Sequence, residues 1–99
     1  MFTQSSDKIT NISTGQRTVS TTAAAIFAGA SRLKDRFQMT VFNESDTTVY
    51  YGDSSVTVGT GFPLLSGDSA TFYFFSHVPY DVYFIASASK AVRVVEVKG

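Results

Sequence analysis

The chain has 99 residues, 43% hydrophobic and 14% aromatic, with nine Phe, five Tyr and no Cys; that composition excludes a disordered chain and any disulfide or thiolate chemistry. Lys and Arg together number eight, and Asp and Glu eight, a balance that argues against a nucleic-acid binder, whose phosphate partner calls for a basic excess. So small a core confers modest stability on its own, and a net charge of zero removes the repulsion that keeps like molecules apart; both fit a protein that assembles.

Met1–Gly15 is rich in Thr, Ser, Gln and Asn, with Phe2, Ile9 and Ile12 as isolated apolar residues. Such a stretch cannot build a core, so it is expected as an N-terminal arm, frayed in solution or laid across a neighbour. It lacks the apolar segment of a secretory signal, and no apolar run approaches the ~18 residues of a membrane span. Synthesis in the cytoplasm and no contact with a membrane are the expectations. Residues 16–99 make one domain.

Gln16–Phe27 reads as extended chain. Over residues 20–37 two readings stand: a hairpin turning at Ala28–Ser31, or a helix on which Ile26, Ala30, Leu33 and Phe37 share a face. Arg36–Asn43 alternates Phe37, Met39 and Val41 with Arg36, Gln38 and Thr40, the pattern of a half-buried strand. A turn at Glu44–Asp46 leads to a strand at Thr47–Gly52. A loop follows at Asp53–Gly61, then a short segment Phe62–Leu65 that Pro63 confines to a sheet edge. After the turn Ser66–Asp68, Ser69–Ser76 carries aromatic residues on both faces, as in a strand covered on both sides. Asp81–Ser87 and Ala91–Val97 form a closing pair around a turn near Ala88–Lys90. Short strands with turn signals every ~8–12 residues predict an all-β fold, a small antiparallel β-sandwich or flattened barrel with an extended polar N-terminal arm. Its core should include Phe37, Met39, Val41, Val49, Phe84, Val92 and Val94.

No catalytic, cofactor or metal site is expected. His77 is the single histidine, set in a turn beside Pro79. Asp46, Asp53, Asp68 and Asp81 each fall in a turn, where Asp side chains bond their own backbone. Gly59 and Gly61 lack the Lys and helix of a phosphate loop. What remains is contact surface. Tyr50 and Tyr51 are adjacent, so only one can point inward; Tyr80 and Tyr83 are further candidates. Along Phe72–Phe75 alternation turns one pair outward, Phe72 with Phe74 or Tyr73 with Phe75, leaving an apolar patch that asks for a partner. The partner-contact candidates are Phe2, Ile9, Ile12, Tyr50, Tyr83, Phe72 and Phe74, in a homo-oligomer.

The series Val41–Phe42–Asn43 with Ser45, Val49–Tyr50–Tyr51–Gly52–Asp53–Ser54–Ser55–Val56–Thr57, Thr60–Gly61–Phe62–Pro63–Leu64, Gly67–Asp68–Ser69, Val82–Tyr83–Phe84–Ile85–Ala86 and Val92–Arg93–Val94–Val95–Glu96–Val97 resembles a group of small tailed-bacteriophage structural proteins of the head-fibre, capsid-decoration or minor virion type. The resemblance covers about 60 of the 99 residues and leaves Met1–Gly15 outside it. It implies a non-enzymatic virion protein present in many copies, bound to the assembled capsid or to the tail. The implied partners are other copies of itself, with a trimer the first form by analogy, and the major capsid protein or a tail protein. The alternative is a virion module that binds a host receptor or glycan through exposed tyrosines and the Asp53–Gly61 loop.

Overall fold

Strand-forming residues recur throughout the chain, and in the computed structural model, which describes residues 11–75 and 80–99, every regular element is a strand. In chain order these are β1 (Asn11–Val19), β2 (Ala24–Ala25), β3 (Arg36–Asn43), β4 (Val49–Gly52), β5 (Phe62–Leu64), β6 (Ser69–Tyr73), β7 (Tyr83–Ile85) and β8 (Lys90–Lys98). They form two four-stranded sheets, ordered β1-β8-β3-β6 and β2-β7-β4-β5, with every pairing antiparallel. The chain folds as a small all-β sandwich.

Period-two alternation explains how the sheets face each other. On β8, Val92, Val94 and Glu96 turn inward; on β3, Met39 and Val41 do the same. Met39, Val41, Val49, Phe84, Val92 and Val94 are each at most 2% exposed, so six of the seven expected core residues lie at the centre. Phe37 is only half-buried. The β3–β8 register steps from Arg36 opposite Lys98 to Gln38 opposite Val97, so Phe37 is the extra residue of a β-bulge. The alternation slips there, and Arg36, expected on the solvent face, goes inside instead.

Aromatic rings bind the two layers. Tyr51 lies 5.0 Å from Phe72 in an edge-to-face contact and 5.5 Å from Phe84, and Phe72 meets Phe84 at 6.3 Å. Such pairs contribute about 0.5–1.5 kcal/mol each beyond the area they bury.

Three expected connections are replaced. Gln16–Phe27 is not one extended segment, because the chain leaves the first sheet after Val19 and enters the second as β2. Ala86 N–H donating to Ser20 C=O at 2.9 Å and Ile26 N–H to Val82 C=O at 3.1 Å fix that crossing. Residues 20–37 form neither the hairpin nor the helix: β2 pairs with β7 and β3 with β6 and β8, so the two are never neighbours. The segment between them instead crosses the end of the sandwich. There the Ala28 carbonyl sits only 2.1 Å from where a Cβ on Gly15 would stand, an approach only glycine permits. The 81–87 and 91–97 segments do not pair either, since β7 and β8 belong to opposite sheets. Asn11–Gly15, grouped with the arm in the sequence, form the first half of β1 and pair with Val94–Lys98. The rest of the expected arm lies outside the described residues.

Candidate interaction surface

The bulge in β3 delivers Arg36 into the space between the sheets, where its guanidinium lies 4.0 Å over the ring of Phe74 and 5.6 Å from that of Phe27. Nη1 donates to Glu96 Oε2 at 2.6 Å; both side chains are at most 2% exposed. Nη2 donates to the Tyr80 carbonyl at 2.9 Å and to Asp81 Oδ1 at 3.4 Å. Glu96 also accepts from Ala28 N–H at 3.0 Å and Leu33 N–H at 3.4 Å, which pins the segment between β2 and β3. Arg36 Nε has no partner among the described residues. A buried ion pair of this kind gains little net stability over apolar packing, but removing either partner strands the other charge. The pair fixes geometry: it holds the segment 26–35 and Tyr80–Asp81 against the same end of the sandwich.

Above it lies a cleft of about 180 Å³ lined by residues 32–36 with Phe74, Phe75 and Tyr80. Its rim is aromatic and uncharged on the β6 side. Tyr73 is 64% exposed, Phe75 69% and Tyr80 45%, and the Tyr80 hydroxyl donates to the Tyr73 carbonyl at 2.9 Å. Phe62, which opens the short strand β5, and Leu65, which follows it, are also exposed, at the neighbouring edge of the second sheet. Phe62 continues the aromatic row outward, its ring 5.5 Å from Tyr51.

The sequence candidates divide accordingly. Phe72 and Phe74, expected as contact residues, face inward: Phe74 is 6% exposed and Phe72 packs against the core. The outward pair is Tyr73 with Phe75, because Phe72 meets Met39 and Tyr51 and Phe74 lies beneath Arg36. Thr71, Tyr73 and Phe75 are exposed, so the segment 69–75 is not covered on both faces as expected, and Ser76 lies outside the described residues. Tyr50 and Tyr83 are half-buried on the outer face of the second sheet, opposite Ile85 and Gly52. Ile12 is 56% exposed on β1. Phe2, Ile9 and His77 lie outside the described residues. Phe62, Leu65, Phe75 and Tyr73 were not selected in sequence; parity within Phe72–Phe75 marked the last two only as one of two choices.

Asn43 and Gly67 hold the turns that follow β3 and precede β6. Asn43 is fully buried; its Nδ2 donates to the carbonyls of Thr47 at 2.8 Å and Leu64 at 2.9 Å, and its Oδ1 accepts from Ser45 N–H and Oγ. Its backbone bridges to the next turn, accepting from Gly67 N–H and donating to Asp68 C=O, both at 2.9 Å. Gly67 has φ 81°, the left-handed region glycine enters freely. The Asp53–Gly61 loop closes on itself through Asp53–Ser55 and Thr57–Thr60 hydrogen bonds.

On the outer face of the first sheet, a shallow groove of about 340 Å³ runs among Gln16, Thr40, Phe42, Arg93 and Val95. Glu44 closes one end, accepting from Gln16 Nε2 and from Arg93 Nε at 3.0 Å. The Gln16 hydrogen bond, and behind it Arg93, hold the Glu44 carboxyl below its ordinary range. Lys90, 3.0 Å from Asp46, lowers that carboxyl likewise. Asp81, like Asp46, is paired with a basic side chain rather than only with its own turn, reaching Arg32 at 3.1 Å and Arg36 at 3.4 Å. The groups with perturbed titration are thus paired at the surface. No known protein family, curated protein or solved structure matches this chain.

Proposed function

We propose that this chain is a non-enzymatic structural protein of a bacteriophage virion, bound in many copies to the assembled capsid, as decoration or head-fibre proteins are, or to the tail. The observation that supports this reading is the uncharged aromatic rim formed by Tyr73, Phe75 and Tyr80. It stands on a scaffold whose buried polar groups are committed to holding loops in place. Exposed aromatic residues on a rigid support serve as anchors in protein–protein contacts. Other copies of the chain and the major capsid protein or a tail protein are the partners, with no role for nucleic acid or membrane. On this reading the protein resides in the virion after synthesis in the host cytoplasm. The receptor- or glycan-binding alternative ranks second, because the Asp53–Gly61 loop spends its polar side chains on itself.

Mass spectrometry of separated heads and tails from purified particles tests the proposal: the chain should be stoichiometric in one fraction. Its absence from both would overturn the virion reading. A glycan array probed with the purified chain tests the alternative, and specific retention there without capsid or tail binding would reverse the ranking.

A further inference from the structure

We infer that strand β6 is a self-pairing edge: a second copy of this chain adds its own β6 antiparallel to the first, about a two-fold axis at Thr71, and joins the two four-stranded sheets into one of eight strands. The backbone directions point to it. Asp68 C=O accepts from Asn43 N–H, and Phe74 N–H donates to Phe37 C=O. Each residue of an antiparallel strand turns its N–H and C=O to the same side, and the side alternates. Residues 68, 70, 72 and 74 therefore serve β3, while Ser69, Thr71 and Tyr73 present their groups to the open edge. The Tyr80 hydroxyl on the Tyr73 carbonyl confirms that direction.

Among the described residues the other edges are better guarded than this one, where only the Tyr80 hydroxyl intervenes, and it must share the Tyr73 carbonyl with an incoming strand. β1 carries Arg17, β2 has two residues, and β5 has three with Pro63 among them. β6 is Ser-Ala-Thr-Phe-Tyr, without charge, Pro or Gly, the kind of edge that natural sheets seldom leave unguarded. Charge permits a second copy as the occupant, and the strand's large-against-small complementarity with itself favours one. A two-fold contact sets each patch against itself, so a charged strand would meet its own sign, and the net charge of zero adds no repulsion between copies.

Side-chain size selects the register. With Thr71 opposite Thr71 of the second copy, Tyr73 lies beside Ser69 and Phe72 beside Ala70, a large residue against a small one at each position. Centring on Ser69 would run into the Gly67 turn. Centring on Tyr73 would oppose two tyrosines. Like-with-like antiparallel pairing makes a dimer, not the trimer implied by the resemblance. It stands apart from the virion reading: absence from particles would overturn that reading and leave the pairing untouched.

Because the chain contains no cysteine, one introduced thiol reports the register. Opposed residues of a hydrogen-bonded pair have Cα atoms about 5.5 Å apart, within disulfide reach, whereas Ser69 and its own copy are separated by about 13 Å along the strands. Expected are a dimer of the full chain in sedimentation velocity, a covalent dimer of Thr71→Cys on mild oxidation, and none of Ser69→Cys. Thr71→Lys should sediment as a monomer with unchanged β-sheet circular dichroism; if it does not fold, the two cysteine variants decide. A monomeric or trimeric wild type, or equal cross-linking of both cysteine variants, would overturn the pairing.

Discussion

Arg36 and Asn43 stand at opposite ends of β3, both buried and both polar, yet they are satisfied in different ways. Asn43 is neutral; two of its partners are near in sequence, Ser45 two residues on and Thr47 four, and the third is Leu64 of β5 in the opposite sheet. Its side chain uses both its donor and its acceptor atom. Arg36 is charged, and its partners lie 44 to 60 residues away in Tyr80, Asp81 and Glu96; one nitrogen is left over. The neutral hub is mainly a local turn-maker, with a single bond to Leu64 across the sandwich. The ionic hub is a tertiary lock that exists only once both sheets have met.

Breaking each hub measures the difference. Glu96→Ala leaves Arg36 charged between the sheets and should cost about 3–5 kcal/mol in chemical denaturation. The double change Arg36→Met with Glu96→Leu should recover only part of that loss: it removes the stranded charge but leaves the Ala28 N–H and the Tyr80 carbonyl without their side-chain partners. A double variant as unstable as Glu96→Ala would mean the pair contributes more than geometry. Asn43→Ala strands the Leu64 carbonyl and one bonded group in the 44–47 turn, and should cost about 2–3 kcal/mol by the same measurement. Gly67→Ala, which forces a Cβ into the left-handed region at the neighbouring turn, should cost about 1–2 kcal/mol.

The smallest effect is in pH. Glu44 and Asp46 both titrate lower in the fold than their ordinary values of 4.5 and 3.8. A lowered carboxylate adds stability that is complete above its unfolded pKa and is lost as pH falls through the folded value. Thermal unfolding should therefore be insensitive to these groups near neutrality and shift downward only below about pH 4.5. Lys90→Ala should remove the Asp46 share of that acid-side slope and leave the Glu44 share in place.

What could be read in the sequence followed the same division between local and distant causes. Arg36–Asn43 was legible to its end residues because its alternation is a property of eight consecutive side chains. The turns at Glu44–Asp46 and Ser66–Asp68, and the edge position of Pro63, were legible because Asp, Ser, Gly and Pro act on their own backbone. The inward turn of Arg36 was not, because one bulge residue shifts the phase and nothing nearby reveals it. The same holds for the surface: alternation split Phe72–Phe75 into two pairs, but only the position of Phe74 beneath Arg36 decides that Tyr73 and Phe75 face out. The crossing between sheets after Val19 and after Ile85 was invisible for the same reason, since a connection reads alike whether the next strand pairs beside or opposite.

The pairing of β8 between β1 and β3 governs when this molecule can fold. The first sheet is missing its central strand until Lys90–Lys98 is present. Before that point β1 has no neighbour and β3 has only β6, and the Glu96 carboxylate that fixes the 26–35 segment does not yet exist. Every contact of β1 with β8 spans more than 70 residues, so chain closure over most of the domain must precede any of them. Such topology gives slow folding, in the millisecond-to-second range typical of sandwiches, and a nascent chain with uncovered strand edges until synthesis passes β8.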